Sequence, residues 1–194
     1  SNEEVIYKEE ETELYHLKYK IVGSNDYLSI ATTRPETIFG DTAVAVNPND
    51  KRYKKLKNKK LIVPIVNREI PIVFDDSVEI DFGTGCLKVT PAHSEKDFLI
   101  GKKHNLEIID VFNDDASLNE HAMDYAGKDR FKVKKEIIEK LNDEGLISRI
   151  ENYNHNIALS ERTSCVVEPK LSLQWFVKMK ELAKPALDAV LSGE

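Results

Sequence analysis

The 194-residue chain has only two cysteines, Cys86 and Cys165, far apart and in no C-x-x-C spacing. That excludes a disulfide framework and a cysteine-based zinc site, and it points to a reducing compartment. A basic excess is missing too. Against 34 Asp and Glu there are 28 Lys and Arg, a net charge of −6, so bulk electrostatics give no support for a dedicated nucleic-acid binder and any RNA contact has to be local. No apolar run approaches the roughly 18 residues of a membrane span, and the acidic start SNEEVIYKEEETE is the reverse of a signal peptide. A cytoplasmic protein without membrane contact is expected. The chain also lacks an H-E-x-x-H, a Ser-His-Asp ordering and a G-x-x-x-x-G-K-[ST] phosphate loop, and the glycines of Gly83-Thr84-Gly85 are too few to cradle a nucleotide. Chemistry here would be hydrolysis by an oriented water rather than attack by a protein nucleophile.

What is present is an apolar fraction of 41%, enough for a real core in one large domain or a domain with appendages. Over residues 15–21, Tyr15, Leu17, Tyr19 and Ile21 alternate with His16, Lys18 and Lys20, the period of a half-buried strand. A Gly23-Ser24-Asn25-Asp26 turn leads to a returning strand over 27–32. Short Val- and Ile-rich runs over 42–46, 61–66, 70–74, 85–90 and 108–112 read as further strands. Pro64 and Pro71 inside two of them demand edges, bulges or strong bending. Helices are predicted over 94–104, over 130–144 with Gly145 as its stop, and over 179–191. Residues 152–168 read as polar and irregular, and the tail with the single Trp175 as belonging to a neighbouring module. The fold class is α+β: a mostly antiparallel, barrel-like β core with peripheral helices.

Three segments concentrate polar chemistry. Thr32-Thr33-Arg34-Pro35-Glu36-Thr37 leaves the end of a strong strand, where loops build sites, although threonines also simply satisfy turns. In Phe82-Gly83-Thr84-Gly85-Cys86-Leu87-Lys88-Val89-Thr90-Pro91-Ala92-His93-Ser94-Glu95-Lys96-Asp97, a strand would point Lys88 and Thr90 to one face, into a polar cavity. Ser94 and Asp97 at the next helix start form S-x-x-D, a shortened capping box; Asp97 either caps or faces a ligand, and the residues alone fit both. Residues 51–60 hold seven basic residues and no acid, either a solvated surface or a phosphate contact through Lys51, Arg52, Lys54 and Lys55.

Taken in order, ATTRPET, GDTAVAVNPND, REIPI, FGTG, KVTPAH with a downstream aspartate, YAGKDRF and EPKLSLQWFVKM resemble the editing insertion of valyl-tRNA synthetases. The resemblance runs from about Tyr15 to Met179. Isoleucyl relatives typically carry a Trp-containing Thr-Pro stretch where this chain has Thr33-Arg34-Pro35-Glu36 and a histidine at the Lys88 position; leucyl relatives usually have methionine there. The ATP motifs of the synthetic core are absent. The resemblance divides the chain into a tag scar (Ser1-Asn2) and acidic linker over 1–13, an editing core over 14–152, and a return segment over 153–194 toward a catalytic domain.

It implies an aminoacyl-tRNA deacylase that clears threonine from tRNA specific for valine. Asp97 would hold the substrate's α-ammonium; Thr32 and Thr33 would line the ester and orient water; Arg34, Lys88 and Thr90 would read the side chain; Phe82 would pack on the substrate or terminal base; His93, ranked below Asp97 in the catalytic set, would order a turn or a water. No metal and no cofactor is implied for editing, ATP and Mg²⁺ serving only the synthetic domain. The implied partners are the aminoacylated 3′ end of that tRNA and the rest of a synthetase chain, in a monomer. Two departures stand out. Ser94 replaces an aspartate common in the family, and Ser160-Glu161-Arg162-Thr163 replaces cysteine ligands found in some relatives, so Cys165 is not expected to bind zinc. The alternatives are an isoleucyl editing domain and a non-catalytic tRNA-binding module.

Overall fold

Leu17 and Tyr19 are fully buried while Lys20 between them and Ile21 is exposed, so the predicted alternation sets a strand with one face inward over 17–21; His16, expected on the outer face, is buried too, against Glu151 at 2.7 Å. The structure, a computed structural model, describes residues 4–193; Ser1 and Asn2 lie outside them. Strand β1 is far longer than expected, Val5–Ile21, and pairs antiparallel with β2 (Tyr27–Thr32), Tyr15 opposite Thr32. The rest of the sheet comprises β3 (Ala43–Val46), β4 (Lys60–Ile62), β5 (Glu69–Phe74), β6 (Cys86–Val89) and β7 (Ile147–Ser160). Its order is β2-β1-β4-β5-β3-β6, with β7 added on β1; β3 and β5 run parallel and the other pairs antiparallel.

Both ends of this path line the same cavity, β2 through Ala31 and Thr32 and β6 through Leu87 and Lys88. The sheet is therefore curled into a half-barrel whose seam is the cavity. Inside, Leu17, Tyr19, Ile30, Val44, Val46, Leu61 and Ile70 meet the Val133, Ile137 and Leu141 face of helix α2 (Arg130–Asp143). On the opposite face of β3, small Ala43 and Ala45 let helix α1 (Glu95–Lys103) approach and bury Ile100. Helix α3 (Met179–Ser192) has no buried residue, and Trp175 before it is fully exposed.

Four expectations are corrected. Residues 5–13, taken for an acidic linker, are strand: β7 supplies a continuous partner from Val5–Ser160 to Leu17–Ile147, and backbone hydrogen bonds need no apolar alternation. The stretch from 152, expected to be irregular, is for the same reason regular up to Ser160. The run over 61–66 stops as a strand at Ile62, because Pro64 is followed by positive backbone φ at Ile65 and Asn67 in a tight turn. Residues 108–112 form no strand; Ile109, Val111 and Phe112 are buried as an irregular segment with one bridge, Phe112 to Leu118.

Candidate active site

The seam cavity measures about 320 Å³ and brings together Thr32, Thr33, Arg34, Phe82, Lys88, Thr90, His93 and Asp97, the eight residues singled out for catalysis or substrate binding. They come from the end of β2, the loop before β6, β6 itself and the start of α1. Period two carries Lys88 and Thr90 to the same side of β6, as expected, and both are buried.

The floor is a closed hydrogen-bond network. Lys88 Nζ donates to Asp41 Oδ1 at 2.7 Å, to Thr37 Oγ1 at 2.8 Å and to Thr90 Oγ1. Asp41, entirely buried, also accepts from the Thr90 hydroxyl at 2.8 Å and the Tyr19 hydroxyl at 2.5 Å. A buried ammonium with a carboxylate and two hydroxyls around it is compensated; left unpaired it would be very costly.

At the rim, the S-x-x-D motif resolves both ways. Ser94 Oγ caps α1 by accepting the Asp97 N–H at 3.3 Å, while the Asp97 carboxylate turns away from the Ser94 backbone and accepts the Thr90 N–H through Oδ2 at 2.8 Å. Burial raises the Asp97 pKa above the ordinary carboxylate value, opposed by the Thr90 N–H and the Lys88 charge. The carboxylate thus stands at the cavity edge, fixed, beside the floor it helps to position.

Two of these residues also hold the surrounding structure. His93 Nε2 accepts the Val111 N–H at 3.0 Å, and the ring packs edge-on against Phe112 at 4.7 Å. Burial first, then the Arg34 and Lys88 charges, push its pKa down to about 4. Its Nε2 thus pins the 109–112 segment, and burial favours the neutral imidazole. Arg34 lines the cavity, but its guanidinium is shared among Glu36 (3.1 Å), the His93 carbonyl (3.4 Å) and Glu168. Thr32 Oγ1 accepts the Arg34 N–H at 3.0 Å, shaping the loop.

Of the basic block, Lys51 is exposed in a turn and Lys54 and Lys55 in a 3-10 helix over Lys54–Leu56, all away from the cavity lining. Arg52 pairs with Asp50 at 2.7 Å and donates to the Ile80 carbonyl at 2.7 Å. With Tyr53, whose hydroxyl donates to the Thr84 carbonyl at 2.5 Å, it holds the loop that presents Phe82. Gly85 in that loop has φ +75°, and a Cβ there would lie 2.4 Å from Arg52 Nη2.

Sequence reasoning missed Asp41, Tyr19, Tyr153, His155 and Glu168. Tyr153 and His155 complete the cavity wall from β7, Tyr153 standing edge-on to Phe82 at 6.0 Å. Their signal was present: Tyr153, His155 and Ile157 alternate with Asn152, Asn154 and Asn156. Glu168 reaches back to Arg34 and stands 3.7 Å from Arg130.

Comparison with known proteins decides what this site belongs to. The family model described as the leucyl-tRNA synthetase editing domain matches residues 56–154, just over half of the chain. The chain belongs to the editing-domain family of the aminoacyl-tRNA synthetases. Over its whole length it is similar to the valine--tRNA ligases of Christiangramia forsetii (59% identical), Parabacteroides distasonis (55%) and Clostridium tetani (52%), and it spans 22% of the length of each. Among solved structures, the Agrobacterium radiobacter leucyl-tRNA synthetase in its ternary complex with tRNA and LeuAMS shares the fold, with a TM-score of 0.57 at 17% identity over 75% of this chain and 20% of that one. The half-barrel with its cavity between β2 and β6 is thus an editing-domain architecture. The threonine-rich wall over 32–37 lies outside the span that the family model matches.

Proposed function

We propose that the seam cavity hydrolyses the ester of threonine on tRNA that accepts valine. The need is chemical. Threonine and valine are nearly isosteric, and the synthetic pocket of valine-specific enzymes is known to reject the added hydroxyl by only about a hundredfold. A second site that hydrogen-bonds the hydroxyl discriminates far better, because its polar groups go unpaired against valine. The observation that carries the reading is the pairing, in one cavity, of a fixed carboxylate at Asp97 with a polar floor of Thr37, Lys88 and Thr90.

In this reading Asp97 takes the α-ammonium by a charge-assisted bond, and the side chain rests on the floor. Phe82, half exposed beside Tyr153, packs the terminal adenosine. Thr33, on the cavity wall, orients a water toward the ester carbonyl. Water adds to the carbonyl carbon, the bond to the ribose oxygen breaks, and threonine leaves a free hydroxyl on the tRNA; the neighbouring ribose hydroxyl assists the proton transfer. Side chains, water and ribose suffice; ATP and Mg²⁺ would serve synthesis in another part of a longer chain. The exposed Leu173, Trp175 and Phe176 fit packing on such a part.

A deacylation assay tests this with threonyl and valyl esters on tRNA for valine and the valyl ester on tRNA for isoleucine. Preference for the first, lost in Asp97→Ala with the fold kept, is expected. Preference for the last would favour an isoleucine-type site, and salt-sensitive binding without cleavage a pure RNA-binding module.

A further inference from the structure

Asp41 lies behind the cavity floor and takes no part in the chemistry so far described, yet its carboxylate decides which way the floor's protons point. An ammonium has three donors and a hydroxyl one. Lys88 uses all three, on Asp41, Thr37 and Thr90. The Thr90 proton goes to Asp41, and the Thr37 proton goes to the Arg34 carbonyl at 3.0 Å. Each hydroxyl oxygen has then accepted one bond and given its proton away. One lone pair remains on each, and neither these hydroxyls nor Lys88 has a proton left to give a ligand.

We propose that Asp41 is a positioning residue that makes this floor accept only, so that the amino-acid side chain it takes must be a hydrogen-bond donor. This rests on the proposed function for placing an amino-acid side chain there, and it deepens that reading: a hydroxyl is selected for its proton, not for its size or polarity. Valine, or any group of threonine's shape without a proton, buries unmatched lone pairs. Tyr19 sets the device, because its hydroxyl fixes Asp41 Oδ2 and leaves Oδ1 to Lys88 and Thr90. Burial and the Asp41 charge keep the Tyr19 hydroxyl protonated far above the ordinary tyrosine range, so it remains a donor.

The test uses three non-hydrolysable amides joining threonine, valine or 2-amino-3-fluorobutanoate to 3′-amino-3′-deoxyadenosine, titrated calorimetrically into the 194-residue chain. Fluorine replaces the hydroxyl at similar size and carries no proton. The threonyl amide should bind on the order of tenfold more tightly than both others. Asp41→Ala removes the oxygen that accepts from both Lys88 and Thr90, frees a proton of each for the cavity, and should narrow the threonyl-to-fluoro ratio to within about threefold. A fluoro amide bound as tightly as the threonyl amide by the wild type overturns the proposal, as does no binding of any amide at millimolar concentration. An Asp41→Ala variant that weakens all three equally makes Asp41 merely structural and overturns its role. Should Asp41→Ala not fold, Thr90→Val decides: it removes one acceptor from the floor and frees one Lys88 proton for the cavity, so narrowed selectivity supports the device and unchanged selectivity overturns it. Selective binding without ester hydrolysis would remove the proposed function and leave this inference standing; hydrolysis without selectivity among the amides would do the reverse.

Discussion

Asp97 Oδ2 accepts the backbone N–H of Thr90 at 2.8 Å, so the residue just after β6 and the third residue of α1 are tied across the Pro91 turn. A capping box would send this carboxylate back to the Ser94 N–H, a reach that suits glutamate better than aspartate. Instead Ser94 caps alone, and Asp97 holds its charge at the cavity edge. Asp97→Asn keeps an acceptor for Thr90 and removes the charge. It should stay within about 1 kcal/mol of wild-type stability by urea denaturation while threonyl-ester hydrolysis drops roughly ten- to a hundredfold, the worth of a charge-assisted bond. Full activity in Asp97→Asn would show that the charge is not used.

Asp97 also sets a pH dependence. Its pKa is raised by burial, so the anion that binds an ammonium is lost on acidification at a pH above the ordinary aspartate range. The kcat/KM of hydrolysis should fall toward low pH with a limb above about 3.9, the value of free aspartate. That limb should vanish from the residual activity of Asp97→Asn.

His93 predicts a second pH effect, on stability. Its folded pKa of about 4 lies below the 6.5 of free histidine, so between those values the unfolded chain binds the extra proton. The His93 contribution is whole above 6.5 and is lost as the pH falls toward 4, up to about 3 kcal/mol in all. The difference in urea midpoint between wild type and His93→Gln should shrink over that window. A difference constant from pH 7 to 4 would mean that the ring titrates normally.

The buried Lys88–Asp41 pair makes a prediction about coupling. Lys88→Met leaves Asp41 uncompensated and should cost about 3–5 kcal/mol. Adding Asp41→Asn removes the stranded charge and should recover part of the loss, a coupling of at least about 1 kcal/mol in a double-mutant cycle. Additive losses would place the two side chains in separate networks.

Gly85→Ala should destabilise by about 1–3 kcal/mol, since its backbone is left-handed and its Cβ would displace the Arg52–Asp50 pair. In an Arg52→Ala background the same change should cost less. An equal cost in both would place its source in backbone strain and the Ile80 carbonyl, 2.8 Å from that Cβ, rather than in Arg52.

Strand periodicity made the β1–β2 hairpin and the shared face of Lys88 and Thr90 readable, because one buried face leaves a period-two mark in the residues. The β1–β7 arm left a weaker mark. Its acidic half, Glu9 to Glu13, is exposed, so nothing apolar announces a pairing that backbone hydrogen bonds make. Asp41 was illegible for another reason. A buried lysine requires a counter-charge, but its partner is 47 residues away and no local pattern says which carboxylate it is. The basic run likewise gave no sign that one of its members, Arg52, pairs with Asp50 two residues earlier.

The most direct test of the site's proposed chemistry is the single-turnover rate of deacylation, with the chain in excess, for threonyl and valyl esters on the same valine-accepting tRNA. Threonyl ester should be cleaved at least tenfold faster, with the preference set at the Lys88, Thr90 and Thr37 floor. Equal rates for the two esters, or no cleavage of either, would contradict it.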